Sequence, residues 1–292
     1  MAVVTDPLAP ERLAPPTPGQ LRRLLRAEGL RPRKSLSQHF LTDPEALDAI
    51  VAAAELRPGD RVVEIGPGLG VLTRRLLAAG ATVTAVELDP KLAGWLRREL
   101  GGVPGFDLIE ADALTLHPRD LGGEGDYKVV ANIPYHITSP LLHAFLGAED
   151  PPGLIVMLVQ AEVAERVAAP PGQMSYLSAF AQNVATAEVV ARVGAGAFEP
   201  APEVDSAVLR LRRREAPVVA AGEARERFIR VVQAGFRERR KQIHNGLGRQ
   251  LPVERAALDG AFAACAVDPE RRPQTLSVGE WACLAGALAD RL

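Results

Sequence analysis

The stretch Arg61-Val62-Val63-Glu64-Ile65-Gly66-Pro67-Gly68-Leu69-Gly70 decides how the chain is to be read. Its first five residues read as a strand, and the three alternating glycines that follow make a tight turn. Leu72 to Ala79 reads as a helix that Gly80 ends, and Thr82 to Glu87 as a second strand. Strand, glycine turn, helix and strand form a right-handed βαβ unit with a nucleotide-type fingerprint. Glu87 stands at the end of the second strand, 21 residues after Gly66, where an acid suits a ribose diol. Val71 occupies the place where a dinucleotide loop needs its third glycine, and Glu64 would repel phosphate. An uncharged or cationic nucleoside fits this loop better than a pyrophosphate.

The same alternation of strands and helices extends outward, predicting a parallel α/β sheet with helices on both faces. Upstream, residues 20–29 read as a helix with Leu21, Leu24 and Leu25 on one face, and Thr42 or Asp43 caps another that begins at Pro44. Downstream, Pro90 to Leu100 is a helix and Phe106 to Glu110 a strand, with Asp112 directly after it. Asp112 could accept from an adenine amino group or cap the next turn. Lys128 to Ala131 is a fourth strand, which delivers Asn132-Ile133-Pro134-Tyr135 to the sheet edge where such folds bind ligands. Asn132 offers an amide, Pro134 a fixed backbone and Tyr135 a flat aromatic face. Alone, the motif could be a turn; beside a nucleoside pocket it can hold an exocyclic amine.

Leu154 to Val159 is a fifth strand and Gln160 to Ala168 a helix, while Ser178 to Val193 alternates only weakly. A rigid loop from Phe198 to Ser206 leads into the strand Ala207 to Arg212. Beyond residue 215 the strands stop, and 224–249, 254–265 and 277–290 read as three helical segments, the first carrying Arg237, Arg239, Arg240 and Lys241. The expected division is a flexible tail at 1–19, a catalytic domain at 20–215 and a helical substrate domain at 216–292.

The 292 residues carry a net charge of −2, but its distribution is uneven. Residues 20–40 hold a net +5, and residues 206–249 hold twelve basic side chains against four acids. Two basic segments on an acidic body point to a polyanionic partner, against the plainer reading of solvated helix faces. The two cysteines, Cys265 and Cys283, suggest neither a disulfide framework nor a metal site, so a reducing, cytoplasmic setting is expected. No apolar run reaches the roughly 20 residues of a membrane span.

Taken together, these motifs resemble the small-subunit ribosomal RNA adenine N6-dimethyltransferase family. Lys34 to Leu41, Glu64 to Gly70, Glu87, Asp112, Asn132 to Tyr135, Gln160 to Ala164, Phe198 to Pro200, Val204 to Ser206, Phe236 to Lys241 and the Arg272-Pro273 to Leu276-Ser277 segment carry the resemblance, which runs from about Leu21 to the C-terminus. It implies a Rossmann-like class I methyltransferase sheet with a small all-helical C-terminal domain. It also implies transfer of methyl groups from S-adenosylmethionine to N6 of two adjacent adenosines near the 3′ end of small-subunit rRNA. His39, Leu41, Gly66, Glu87, Asp112 and Asn132 are then expected at the cofactor. Asn132 and the Pro134 carbonyl are expected at the target amine, with Tyr135 and Phe198 on the two faces of the flipped base. Arg237, Arg239, Arg240 and Lys241 are expected on RNA, either free rRNA or the assembling 30S particle. No metal is expected, and the chain should act as a monomer.

Ser37, Met174-Ser175 and Glu203 depart from the family's usual residues, which touches RNA docking more than chemistry. Rival readings are a large-subunit rRNA methylase conferring antibiotic resistance, a non-enzymatic nucleic-acid-binding factor of the same fold, and an NAD-dependent dehydrogenase. Val71 disfavours the last.

Overall fold

The computed structural model describes residues 17–30, 38–123 and 125–292. Arg31, Arg33, Lys34 and Ser37 of the basic N-terminal segment lie outside the described residues, as do residues 1–16 of the expected tail. Pro18 and Gly19, assigned to that tail from sequence, instead open helix α1 (Pro18–Ala27). Thr17 and Gln20 cap each other there, and this reciprocal bonding starts the helix two residues early.

The chain forms two compact units, one ending at Ala164 and adding Glu188–Arg212, the other comprising Glu165–Ala187 and Arg213–Leu292. The helical unit is therefore larger than a boundary at residue 216 implies.

The first unit is an α/β fold. After α1 come β1 (Phe40–Leu41), α2 (Pro44–Ala53), β2 (Arg61–Ile65), α3 (Val71–Ala78), β3 (Thr82–Glu87), α4 (Pro90–Leu100) and β4 (Phe106–Glu110). They are followed by α5 (Pro118–Gly122), β5 (Lys128–Asn132), α6 (Thr138–Gly147), β6 (Leu154–Gln160) and α7 (Ala161–Val167). After α8 (Tyr176–Val184), which belongs to the second unit, come β7 (Ala185–Val193), β8 (Phe198–Glu199) and β9 (Ser206–Arg213). Seven strands form one sheet in the order β4-β3-β2-β5-β6-β9-β7. The strands β4 to β6 are parallel, and β9 runs antiparallel to β6, with Gln160 opposite Ser206. Asp43 caps α2 and Asp89 caps α4, each with a proline in the first turn.

The order reverses between β2 and β5, so the crevice beyond their C-terminal ends is the topological switch point. Parallel strands covered on both faces must be apolar throughout. Accordingly Leu154 to Val159 of β6 is buried at every position, and Val62, Val63, Val129 and Val130 are equally inaccessible. The short pair β1–β8, with Leu41 opposite Phe198, brings two distant chain segments to the same edge.

The weak alternation over Ser178–Val193 resolves into two elements. Ser175 and Ser178 cap α8, and the strand begins at its C-terminal end, so one window spans two periods.

The second unit completes its helices with α9 (Glu223–Arg237), α10 (Ile243–Gln250), α11 (Arg255–Ala264) and α12 (Val278–Ala287). Its core gathers Phe228, Val231, Leu247, Phe262, Trp281 and Leu284. A Cβ at Gly235 would lie 2.3 Å from Cη2 of Trp281, so α9 accepts the indole only where no side chain stands. The single helix expected over 224–249 is broken at Glu238–Gln242. The amides of Ile243 and His244, which open α10, donate to the carbonyls of Arg271 and Pro269 instead of to a preceding turn. Apolar periodicity continues across the break, which is why sequence pattern alone runs the two together. Arg237 ends α9, but Arg239, Arg240 and Lys241 stand in the exposed turn after it.

Cys265 and Cys283 are joined in a disulfide, with Cα atoms 5.7 Å apart, contrary to the expectation of unpaired thiols. Packing of α11 on α12 brings together two residues that lie 18 apart in sequence. Among the described residues, no helix is long and apolar enough to cross a membrane.

Candidate active site

The turn after β2 builds the floor of the site. Gly68 and Gly70 have φ of +60° and +75°, which side-chain-bearing residues rarely adopt. A Cβ at Gly68 would meet Phe40 at 3.2 Å, and one at Gly70 would meet Leu96 at 3.0 Å. The glycines thus let the chain turn sharply while β1 and α4 close against it.

One pocket at the switch point is lined by all nine residues singled out from sequence for cofactor and base: His39, Leu41, Gly66, Glu87, Asp112, Asn132, Pro134, Tyr135 and Phe198. These nine residues come from six chain segments. Glu87 is 5% exposed, and its two oxygens accept from the amides of Gly68, at 3.1 Å, and Asp89, at 2.8 Å. Burial raises its pKa above the usual carboxylate value, against these two donors, which lower it. Each carboxylate oxygen can accept further bonds, so the paired ribose hydroxyls of a nucleoside suit it. Asp112 caps the short turn Ala113–Thr115, accepting from Leu114 N–H at 2.9 Å through one oxygen. Both readings of Asp112 thus remain chemically compatible, since the residue is exposed and the turn uses only one of its oxygens.

Asn132 is half-buried at the end of β5, and its amide has no protein partner among the described residues. The Pro134 carbonyl accepts from Ile137 N–H at 3.2 Å, which leaves its second lone pair. The Tyr135 hydroxyl lies 2.8 Å from Ser206 Oγ, which anchors the ring at its far end. The His39 ring is nearly parallel to Tyr135, at 18° with centroids 6.2 Å apart. Its Nδ1–H donates to the Pro200 carbonyl at 2.8 Å. Phe198 is 4% exposed and belongs to the core, so it meets the pocket from within the wall.

Three contributors escaped the sequence reading. Leu88 and Leu114, 49% and 41% exposed, follow the two acids and line the pocket as apolar faces. An exposed leucine beside each strand-end acid was the available signal. Ser206 could not be found without the register that sets β9 against β6.

Glu64, read from sequence only as a bar to phosphate, is 1% exposed and lines the same pocket. Its Oε2 has no hydrogen-bond partner. A buried acid with an unused acceptor fits a cationic ligand, and the glycine turn fits a nucleoside without phosphate. Sheet order, antiparallel β9 and this pocket define a Rossmann-like class I methyltransferase, an enzyme that uses S-adenosylmethionine.

Comparison with known proteins narrows the class. The family model described as ribosomal RNA adenine dimethylase matches residues 29–289. A ribosomal RNA small subunit methyltransferase A from Moorella thermoacetica is 44% identical over 283 residues, covering 93% of this chain and 98% of its own. The protein of the same name from Anaeromyxobacter sp. (strain K) is 45% identical over 279 residues, covering 91% and 97%. Among solved structures, the 23S rRNA methyltransferase ErmE aligns with a TM-score of 0.69 and 34% identity, over 86% of this chain and 99% of that one. A dimethyladenosine transferase from Plasmodium falciparum shares the fold with a TM-score of 0.72, at 24% identity over 86% and 98%. The chain belongs to the ribosomal RNA adenine dimethylase family, and its reaction is S-adenosylmethionine-dependent dimethylation of adenine in rRNA.

Proposed function

We propose that the substrate is small-subunit rRNA, free or in an assembling 30S particle, and that two adjacent adenosines near its 3′ end are dimethylated at N6. The chain acts as a monomer in the cytoplasm, a setting that follows from the ribosomal substrate and no longer from the cysteines. The observation that carries the reading is the unpartnered Asn132 amide, presented at the pocket's edge beside Tyr135.

The cofactor, when bound, supplies an electrophilic methyl group on a sulfonium. The difficulty lies in the acceptor, because the lone pair of an adenine amine is delocalised into the ring. Asn132 Oδ1 and the Pro134 carbonyl accept from the two N6 hydrogens, which favours a pyramidal nitrogen with a directed lone pair. Such positioning in a preorganised polar site supplies much of the rate. No general base is required, since the methylated nitrogen is acidic enough to lose its proton to water. His136 is exposed at the pocket mouth and is given no role in this scheme.

Tyr135 and Phe198 receive the flipped base. Unstacking costs a few kcal/mol, and each stacked face returns about 1–3 kcal/mol. Glu87 holds the cofactor ribose and Asp112 its adenine amine, with Leu88 and Leu114 flanking the ring. His39, Leu41 and Gly66 complete the cofactor wall. Arg237, Arg239, Arg240 and Lys241 are exposed and hold RNA phosphates.

The curated relatives at 44% and 45% identity are named for the small subunit, whereas the ErmE structure at 34% is named for 23S rRNA. Labelled-methyl transfer onto undermethylated small subunits, naked rRNA and large subunits separates the readings. Incorporation is expected in the small subunit, at two adjacent adenosines; labelling confined to large subunits or 23S rRNA would overturn the proposal.

A further inference from the structure

Two carboxylates share one wall of the cofactor pocket, and the chain treats them differently. Glu64 is the register partner of Ala85 on the neighbouring parallel strand, and Glu87 lies two residues beyond Ala85. Side chains two apart point to one face, so both acids project to the same side of the sheet. Glu87 is held by two backbone amides. Among the described residues, Thr73 of α3 is the polar group that acts on Glu64, but the Thr73 hydroxyl makes no hydrogen bond and Glu64 Oε2 stays unpaired.

An ionised carboxylate in that setting is costly. Burial above all, with the charge of Glu87 adding to it and Thr73 opposing, pushes the Glu64 carboxyl up to about 8. Among the described residues, the charged group that acts on it is Glu87 from β3. From α3 it meets Thr73, since Arg74 and Arg75 are paired with Glu99 and Asp48. The one charge on β5, Lys128, stands at the strand's other end, bound to Asp60 at 2.8 Å. A carboxyl so placed favours its protonated form.

S-adenosylmethionine carries two positive charges, on its sulfonium and its α-ammonium, and Glu64 lines the pocket that would hold it. We propose that Glu64 reads that charge: it gives up its proton as the cofactor binds and faces the bound cofactor as a carboxylate. The exchange balances, with protonated Glu64 and the free cofactor giving the ion-paired complex and one proton in solvent. The demethylated product has lost the sulfonium, so it holds the carboxylate less firmly and Glu64 recovers its proton before release. The device thus favours methyl donor over spent product by charge. It rests on S-adenosylmethionine as the ligand of this pocket.

Linkage fixes the sign. A free-enzyme pKa lowered on binding means that affinity rises with pH, by up to about tenfold per unit below the free value. The test is calorimetric titration of S-adenosylmethionine at pH 7 in buffers of different ionisation enthalpy, which counts protons. Wild-type enzyme should release about one proton more than Glu64→Gln. It should also show a clear rise in affinity between pH 6 and 8, which the variant lacks. S-adenosylhomocysteine should release fewer protons than the donor. Equal proton counts in wild type and variant overturn the proposal.

Infrared difference spectra of the wild-type enzyme need no variant. The band of a protonated buried carboxyl should vanish on adding S-adenosylmethionine, and a band that persists would be equally fatal. Wild-type enzyme that binds no S-adenosylmethionine would overturn the cofactor assignment itself; binding without proton release overturns this proposal alone.

Discussion

The pocket of the α/β unit and the basic turn of the helical unit both carry functional residues, but they hold them by opposite means. In the pocket, burial and hydrogen bonds hold several groups in place: Glu87 is bonded twice by backbone amides, Tyr135 is anchored by Ser206 and His39 by Pro200. In the turn, Arg239, Arg240 and Lys241 are exposed and have no ion pair among the described residues. The first arrangement suits a reaction in which an error of about 1 Å costs about a hundredfold. The second suits a polyanion whose phosphates can be met in many geometries, through charges that add up. Chemistry should therefore fail steeply and singly, whereas RNA binding should fail gradually and by sums.

The sharpest break should come at Asn132. Asn132→Ala should lower methyl transfer by about a hundred- to a thousandfold, the range of losing a single oxyanion-type partner. Cofactor affinity measured by calorimetry should stay within a few-fold of wild type. Normal turnover by this variant would remove the pocket side of the contrast. Gly235→Ala comes next and tests the helical unit as a folded body. Its Cβ would enter the Trp281 ring, and overpacking of this kind costs about 1–3 kcal/mol. Thermal unfolding should show the loss, while S-adenosylmethionine still binds to the other unit.

What is legible in the sequence depends on the distance along the chain between the groups concerned. The βαβ unit from Arg61 to Glu87 was legible because its strand, turn, helix and acid are consecutive, and local chemistry shapes each one. The Asn132 motif gained meaning only from arriving at the same sheet edge, which the order of strands predicted. Ser206 and the isolated oxygen of Glu64 were not legible, since both depend on which strand lies beside which. The break at Glu238–Gln242 was hidden for the same reason, as the carbonyls that receive the first amides of α10 belong to Pro269 and Arg271. The disulfide likewise required the packing of two helices.

Glu87→Ala should weaken S-adenosylmethionine binding by about ten- to a hundredfold, the loss expected for hydrogen bonds to a charged acceptor. Unchanged binding would sink the ribose assignment. The turn should respond less steeply. Neutralising Arg239, Arg240 and Lys241 together should weaken RNA binding at low salt and reduce the salt slope by about two, each phosphate contact contributing about 0.7–0.9. Single substitutions should give about a third of that change. A slope that stays at the wild-type value would move the RNA surface away from this turn.

The smallest effect should lie inside the pocket, at the bond between Tyr135 and Ser206. Ser206 is fully buried, and its hydroxyl meets the phenol at 2.8 Å. Ser206→Ala removes that bond but leaves the ring, the Asn132 amide and the glycine turn in place. A neutral hydrogen bond contributes about 0.5–1.5 kcal/mol net, so the cost should be a few-fold to about tenfold. It should appear in the handling of RNA, as a raised KM or a lowered rate at limiting RNA, with cofactor affinity unchanged. Tyr135→Phe should lose about as much, because it breaks the same bond from the other side, and the double variant should lose little more than either alone. Additive losses would mean that the two hydroxyls act separately. The pocket would then resemble the basic turn more than the contrast allows, with contributions that sum instead of one fixed arrangement.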